Sequence, residues 1–330
     1  MSGNYKVVTF GEAMLRLSPQ NFERLEHARS LRTEVGGGEL NVAVILSRMG
    51  VPSAWVSALP NNTIGHMVRN KAREHGVDTD NIAWSKEGRV GLYFMEYGAL
   101  PRASRVIYDR AGSAISMIKP GDIDWEKVLK PAKHLHTSGI TPALSKSAAE
   151  VTKEALVTAK KLGLTVSYDL NYRAKLWTEA ESRKCQEPLM EYVDVLITTE
   201  EDTNKVFGIK GTNYEEVAKT LADKFKFKVV TITLRKDITV WTNDWTAIAY
   251  ADGKLYKDKT YSVEIVDRVG AGDSYSGGFI YGYIDGDIDK GVKHGNALAA
   301  LKHSMPGDLN WSTKEEVEAQ IKGAGLRISR

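Results

Sequence analysis

The sequence predicts an α/β protein built on a mainly parallel sheet, with a small antiparallel sheet inserted near its start. Two observations carry this. Short apolar runs alternate with helical patterns over most of the chain, and two stretches, 12–35 and 89–110, interrupt that rhythm with β-like pieces and no helix between them. The alternation points to parallel strands, because such strands need a long crossover, usually a helix, to bring the chain back to the same edge.

Val7-Val8-Thr9-Phe10 is β-rich and stops at Gly11. Leu40 to Met49 carries apolar residues at helical spacing, Ala54 to Leu59 reads as the next strand, and Ile64 to His75 as the next helix, closed by Gly76. His134 to Thr137 is a further strand. Ser147 and Glu150 read as a capping box opening a helix with Ala148, Val151, Ala155, Ala159 and Leu162 on one face, ended by Gly163. Thr165 to Asp169 is a strand that runs into polar Asn171-Tyr172-Arg173, and Val193 to Thr198 and Val229 to Leu234 repeat the design. Thr242-Asn243-Asp244, between Trp241 and Trp245, reads as a hairpin turn. Met14 to Leu17, Val90 to Tyr97 and Arg105 to Tyr108 alternate in polarity and read as a separate antiparallel sheet, a lid. No linker rich in Pro, Gly or Ser divides the chain, so residues 1–330 read as a single domain.

A chain of 330 residues, 42% hydrophobic and 26% charged, has enough apolar side chains for a large core, which excludes disorder. Lys and Arg number 45 against 42 Asp and Glu, a net charge of +3 with the signs interleaved. The lack of a basic stripe argues against nucleic acid or a membrane surface as partner. No apolar stretch nears the roughly 20 residues that span a bilayer. The first residues lack a signal-peptide pattern, and the lone Cys185 can form no intrachain disulfide, so the expectation is a cytoplasmic protein. The seven histidines show no metal-ligand spacing.

The strongest chemical signal is Asp267-Arg268-Val269-Gly270-Ala271-Gly272-Asp273-Ser274, running into the apolar Tyr275 to Tyr281. Small residues opening a helix expose backbone N–H groups that can hold a phosphate. An aspartate there would repel that phosphate unless it has a task, and the natural one is to take the proton of a hydroxyl attacking it. On the residues alone, a glycine turn with an ordinary first-turn acid remains open. Gly36-Gly37-Gly38-Glu39-Leu40-Asn41 is a second glycine-rich entry to a helix, where Asn41 offers a donor and an acceptor to sugar hydroxyls. The P-loop pattern is absent, and so is the third glycine of a dinucleotide fingerprint.

Together the two motifs, about 230 residues apart, resemble the paired signatures of the ribokinase-like carbohydrate kinases, the PfkB family, over nearly the whole chain. Within it the sequence is most similar to the 2-keto-3-deoxygluconate kinases, through Gly91-Leu92-Tyr93, Arg105 to Arg110, Gly139 to Leu144, Asp169 to Arg173 and Pro306-Gly307-Asp308. The resemblance implies a three-layer α/β/α sandwich with a β-sheet lid. It also implies transfer of phosphate from ATP, with Mg²⁺, to the terminal hydroxyl of 2-keto-3-deoxygluconate. It makes Asp273 the catalytic base and Gly270, Ala271 and Gly272 the anion hole. Gly37, Gly38, Asn41, Tyr93, Tyr108, Arg110, Arg173 and Asp308 fall on the sugar side, where two arginines suit a carboxylate. Asn171, Arg173, Thr199, Thr233, Arg235, Asp237, Gly270, Gly272 and Asn296 fall on the nucleotide side. The family's Asn-x-x-Glu, tied to magnesium through water, is here Thr199-Glu200-Glu201-Asp202, which leaves Asp202 as the acid nearest that role; the adenine-side turn, Thr233 to Thr239, lacks its usual glycine. A kinase for neutral fructose or ribose, and a non-catalytic sugar-binding regulator of the same fold, are the alternatives. Exposed lid edges suggest a homodimer through the lid, or a higher oligomer.

Overall fold

The computed structural model describes residues 4–323. The chain opens with β1 (Val7–Phe10), β2 (Met14–Pro19) and β3 (Leu31–Gly36), then α1 (Gly38–Arg48), β4 (Ser53–Val56), β5 (Ala58–Pro60), α2 (Thr63–Glu74) and β6 (Ala83–Ser85). Next come β7 (Gly91–Glu96), β8 (Arg105–Asp109), α3 (Trp125–Leu129), β9 (His134–Ser138), α4 (Ile140–Ala143), α5 (Lys146–Lys161) and β10 (Thr165–Asp169). The middle continues with α6 (Glu179–Gln186), β11 (Val195–Thr198), α7 (Glu200–Phe207), α8 (Tyr214–Phe225) and β12 (Val229–Asp237). The last part is β13 (Thr242–Ala251), β14 (Lys254–Lys257), β15 (Tyr261–Glu264), α9 (Ala271–Tyr283), α10 (Ile288–His303) and α11 (Lys314–Ile321).

The main sheet runs β4-β1-β9-β10-β11-β12 in parallel and ends with antiparallel β13 and β14, with β15 also on β13. Its parallel strands are buried on both faces between two helical layers, mostly by apolar residues, with polar His134, His136 and Ser167 among them. Val8, Phe10, Leu135, Val166 and Leu196 face α5 and α8, through Val151, Ala155, Val217 and Leu221. On the opposite face Val7 packs with Val42, Ile45 and Ile280, while Val195, Ile197 and Val229 meet Tyr275, Phe279 and Val292 of α9 and α10. The chain order reverses at β1, whose neighbours are β4 and β9, and ligand crevices of open α/β sheets form beyond the strand C-termini at such a point.

Several expectations are corrected. The small sheet, β3-β2-β7-β8, is mixed rather than antiparallel, because β2 pairs parallel with β7. Helix α5 is capped by Ser145, whose hydroxyl accepts from the Ala148 amide, so Ser147 already lies inside the helix. Residues 242–244 are not a turn: β12 and β13 extend as a hairpin through Asp237 and Asn243, and the reversal falls at 238–241. No helix among the described residues is long and apolar enough to cross a membrane.

Candidate active site

Among the described residues, every helix of eight residues or more is capped by a side chain except α1 and α9. Those two begin on glycines, and their first-turn amides are left to a ligand or to water. Gly270 is in the left-handed region at φ 85, which turns the chain from Asp267 into α9 and which a side chain would strain. Both helix N-termini open into one cleft of about 590 Å³, a volume suited to small ligands. Its wall is formed by Gly37, Gly38, Asn41, Tyr93, Tyr108, Arg110, Asn171, Arg173, Thr199, Asp202, Thr233, Arg235, Gly270, Ala271, Gly272, Asp273 and Asp308, so nearly all the expected residues converge here from points far apart in sequence.

Asp273 is at the centre. Asn41 Nδ2 donates to its Oδ2 at 2.6 Å, while the Gly37 amide approaches Asn41 Oδ1 at 3.4 Å and helps orient that amide. A Cβ on Gly38 would lie 3.5 Å from the other oxygen, Oδ1, so the bare glycine leaves that oxygen facing the cleft. Burial pushes the Asp273 carboxyl above its ordinary value; the Asn41 donor opposes this, and Arg173 and Lys302 also stabilise the carboxylate. The Ala271 amide turns back to the Arg268 carbonyl at 3.3 Å, which leaves the Gly272 and Asp273 amides as the principal donors of the first turn.

Further acids surround Arg173. Asp169, at the end of β10, is pushed well above the usual carboxylate range by burial and then by Asp273 and Asp202. Burial likewise raises Asp202, with Arg173 opposing. The Arg173 guanidinium acts on all three carboxylates, and Asn171, at φ 38, makes the turn that leads to it. Asp169, Asp202 and Asp273 thus feel one another and Arg173 electrostatically across the cleft. No three His, Cys, Asp or Glu among the described residues form a cage, so a divalent cation bound here would need other ligands, such as phosphate oxygens or water, to complete its shell.

Other expected residues are placed less simply. Arg110 directs Nε and Nη2 to Glu12 Oε2, the Nε bond being 2.8 Å, which leaves Nη1 for a ligand. Both oxygens of Asp308 are engaged, Oδ1 by Arg16 at 2.9 Å and Oδ2 by the Tyr93 hydroxyl. The Thr199 hydroxyl caps α7, accepting from the Asp202 amide at 3.0 Å. Two residues are not brought to the cleft wall. Asp237 is exposed beside Arg235 and Arg268, and Asn296 is buried on α10, where it donates to Asp258 at 3.3 Å.

Sequence reasoning missed Glu12, Arg16, Glu39 and Lys302. Glu12 follows the C-terminus of β1, and an acid at a strand end was the available signal. Arg16 stands among apolar neighbours on β2 and is 1% exposed, bridging Asp267 at 2.7 Å and Asp308. Glu39, sealed between Gly11 and Thr141, is pushed up to about 7 by burial, with Ser138 and Thr141 opposing. A second cavity, about 730 Å³, lies beyond Arg16 and is walled by Phe22, Leu31, Trp241 and Ile265.

The profile of the pfkB family carbohydrate kinases matches residues 4–314. This chain belongs to the PfkB family. A crystal structure of 2-dehydro-3-deoxygluconokinase from Thermotoga maritima is similar with a TM-score of 0.94 and 45% identity, over 97% of this chain and 99% of its own. The 2-dehydro-3-deoxygalactonokinase of Haloferax volcanii is 39% identical over 98% of this chain and 99% of its length. An Escherichia coli structure in complex with ATP and Mg²⁺ shares the fold at TM-score 0.83 and 22% identity, covering 97% of this chain and 99% of its own. The PfkB fold is therefore the ribokinase-like α/β architecture, with a mostly parallel sheet between helical layers and a small extra sheet. As a PfkB carbohydrate kinase, the enzyme is a phosphotransferase acting on a hydroxyl group.

Proposed function

We propose that this kinase transfers the γ-phosphoryl of ATP to the terminal hydroxyl of 2-keto-3-deoxygluconate, giving the 6-phosphate. The observation that carries the reading is an aspartate with one oxygen held by Asn41 and the other facing the cleft, on an uncapped helix N-terminus. The similarity to kinases of two dehydro-deoxy sugar acids supports the substrate class.

Asp273 Oδ1 accepts the proton of the attacking hydroxyl, and the first-turn amides of α9 hold the negative charge that develops on the transferred group. Arg173, between the acids and the cleft, offsets that charge further. Asp169 or Asp202 would hold Mg²⁺ together with phosphate oxygens, and the ion would supply electrostatic stabilisation of the phosphates. At the far end of the sugar, Arg110 Nη1 and the Tyr108 hydroxyl meet the carboxylate. Thr233 and Arg235 border the nucleotide.

The small sheet, within 12–35 and 89–110 of one continuous domain, serves as a lid that closes over the sugar and excludes water. Its β8 edge, with Ile107 and Tyr108 more than a third exposed, supports a homodimer made lid to lid in a cytoplasmic enzyme. A single sedimentation boundary at monomer mass at micromolar protein would refute the dimer.

The test of function is a coupled ATP assay with a panel of sugar acids and neutral sugars. Turnover of 2-keto-3-deoxygluconate or its galactonate epimer well above that of fructose and ribose is expected. A preference for a neutral sugar would overturn the substrate assignment.

A further inference from the structure

The proposed reaction uses the acids of the cleft but leaves unexplained a lysine sealed behind them. Lys302, in the last turn of α10, is 0% exposed. Its Nζ donates to two backbone carbonyls, that of Asp267 at 3.2 Å and that of Met305 at 3.0 Å. Asp267 begins the turn that presents Gly270 to Asp273, and its carboxylate braces that turn by accepting from the Val269 amide at 3.0 Å. Met305 begins the return through Gly307, whose amide donates to Asp267 Oδ2 at 2.9 Å, to Asp308, whose carbonyl lies against Gly270. One ammonium therefore ties together the two loops that frame the N-terminus of α9.

The balance of charge is a second, independent argument. Asp267 and Asp308 are buried with Arg16, and one guanidinium against two carboxylates leaves a unit of negative charge in the interior. An uncompensated buried charge of this kind is strongly destabilising. Glu34 beside them is partly exposed and paired with Arg32, so a protonated Lys302 would be the second cation that brings the fully buried charges to neutrality. Burial lowers the affinity of this amine for its proton, while Asp267 and Asp308 raise it, and Lys302 in turn stabilises the Asp273 carboxylate.

We propose that Lys302 is a positioning residue for phosphoryl transfer: its buried ammonium holds the Asp267 and Met305 carbonyls so that the Gly272 and Asp273 amides point into the cleft. The inference rests on the kinase reading above. A displaced anion hole weakens the transition state more than the ground state, so kcat is the parameter that responds.

Lys302→Met keeps the length but removes charge and donors. Its kcat is expected to fall by about tenfold or more, with KM for the sugar acid changing by less than about threefold. Lys302→Ala leaves a cavity at the two carbonyls. Methylammonium is expected to restore part of its kcat, whereas tetramethylammonium, which has no N–H to donate, restores none. Melting curves on the same samples separate folding from turnover. Should neither variant be soluble, Lys302→Gln, which keeps an amide donor without charge, is expected to show a kcat loss of about threefold or more. Full kcat in Lys302→Met or Lys302→Gln, or a loss in Lys302→Ala that methylammonium does not move, overturns the inference. Absence of turnover in the wild type on every sugar acid overturns the kinase reading instead, whatever the variants do.

Discussion

Asn41 divides the two oxygens of Asp273 between structure and chemistry, holding one at 2.6 Å and leaving the other to the cleft. Asp273→Asn keeps the shape but cannot accept a proton. It should lower kcat by about 10²–10⁴-fold while sugar binding, followed by calorimetry, stays near the wild-type value. A variant that keeps a tenth of the wild-type rate would end the assignment of Asp273 as base. The base must be ionised, and its donor from Asn41 lowers a carboxyl that burial raises. Asn41→Ala removes that donor, so the acid limb of kcat/KM against pH should move to higher pH. A limb that stays put or moves to lower pH would show that Asn41 does not tune the base. Among residues, the sequence was readable where a local pattern marks a cleft-lining position, as at Gly37, Gly38, Asn41 and Asp273. Glu12 engages Arg110 from 98 positions away, and no local pattern announces such a pairing.

Helices α1 and α9 differ from the other long helices in lacking a side-chain cap, which leaves their first-turn amides free for the anion-binding role proposed for α9. Helix α9 is held in place by close contact with α10. A Cβ on Gly278 would come 2.7 Å from Gly295 Cα, and one on Gly295 would come 2.8 Å from the Tyr275 ring. Gly278→Ala should therefore force the helices apart and lower stability by about 1–3 kcal/mol, read from urea unfolding. An unchanged midpoint would mean that the contact relaxes freely. The glycines of α9 were visible in the motif, but their partners in α10 look like ordinary small helical residues until the two helices are seen side by side.

For the whole molecule, acid sensitivity reflects two opposed sets of buried groups. His134 and His136, bonded to Thr165 and Ser167 in the middle of the main sheet, are pushed down to about 3 by burial. The unfolded chain protonates its histidines below about 6.5 and the folded chain does not, so they cost stability as pH falls from that value toward 3. Glu39 acts in the opposite sense. Its folded carboxyl, at about 7, takes up a proton before the unfolded one at 4.5, which adds stability as pH falls through that window. Asp169, also raised, adds to the same side. Glu39→Gln removes part of this offset and should lose more stability than the wild type between pH 7 and pH 5, measured as urea midpoints. Equal losses would mean that Glu39 does not take up its proton in that range. The α/β class, the order of most strands and helices, the two glycine-led helix entries and the aspartate proposed as base were legible in the sequence alone, because periodicity and small residues act over a few positions along the chain. It misplaced the cap of α5, read the β13 start as a turn and made the small sheet antiparallel. Tertiary structure alone decided that β2 and β7 run parallel, that Asp308 is paired with Arg16 and Arg110 with Glu12, and that the Lys302 ammonium is buried against the Asp267 and Met305 carbonyls. Register between distant strands and the partners of buried charges depend on which residues folding brings within a few ångströms, and spacing along the chain does not carry that information.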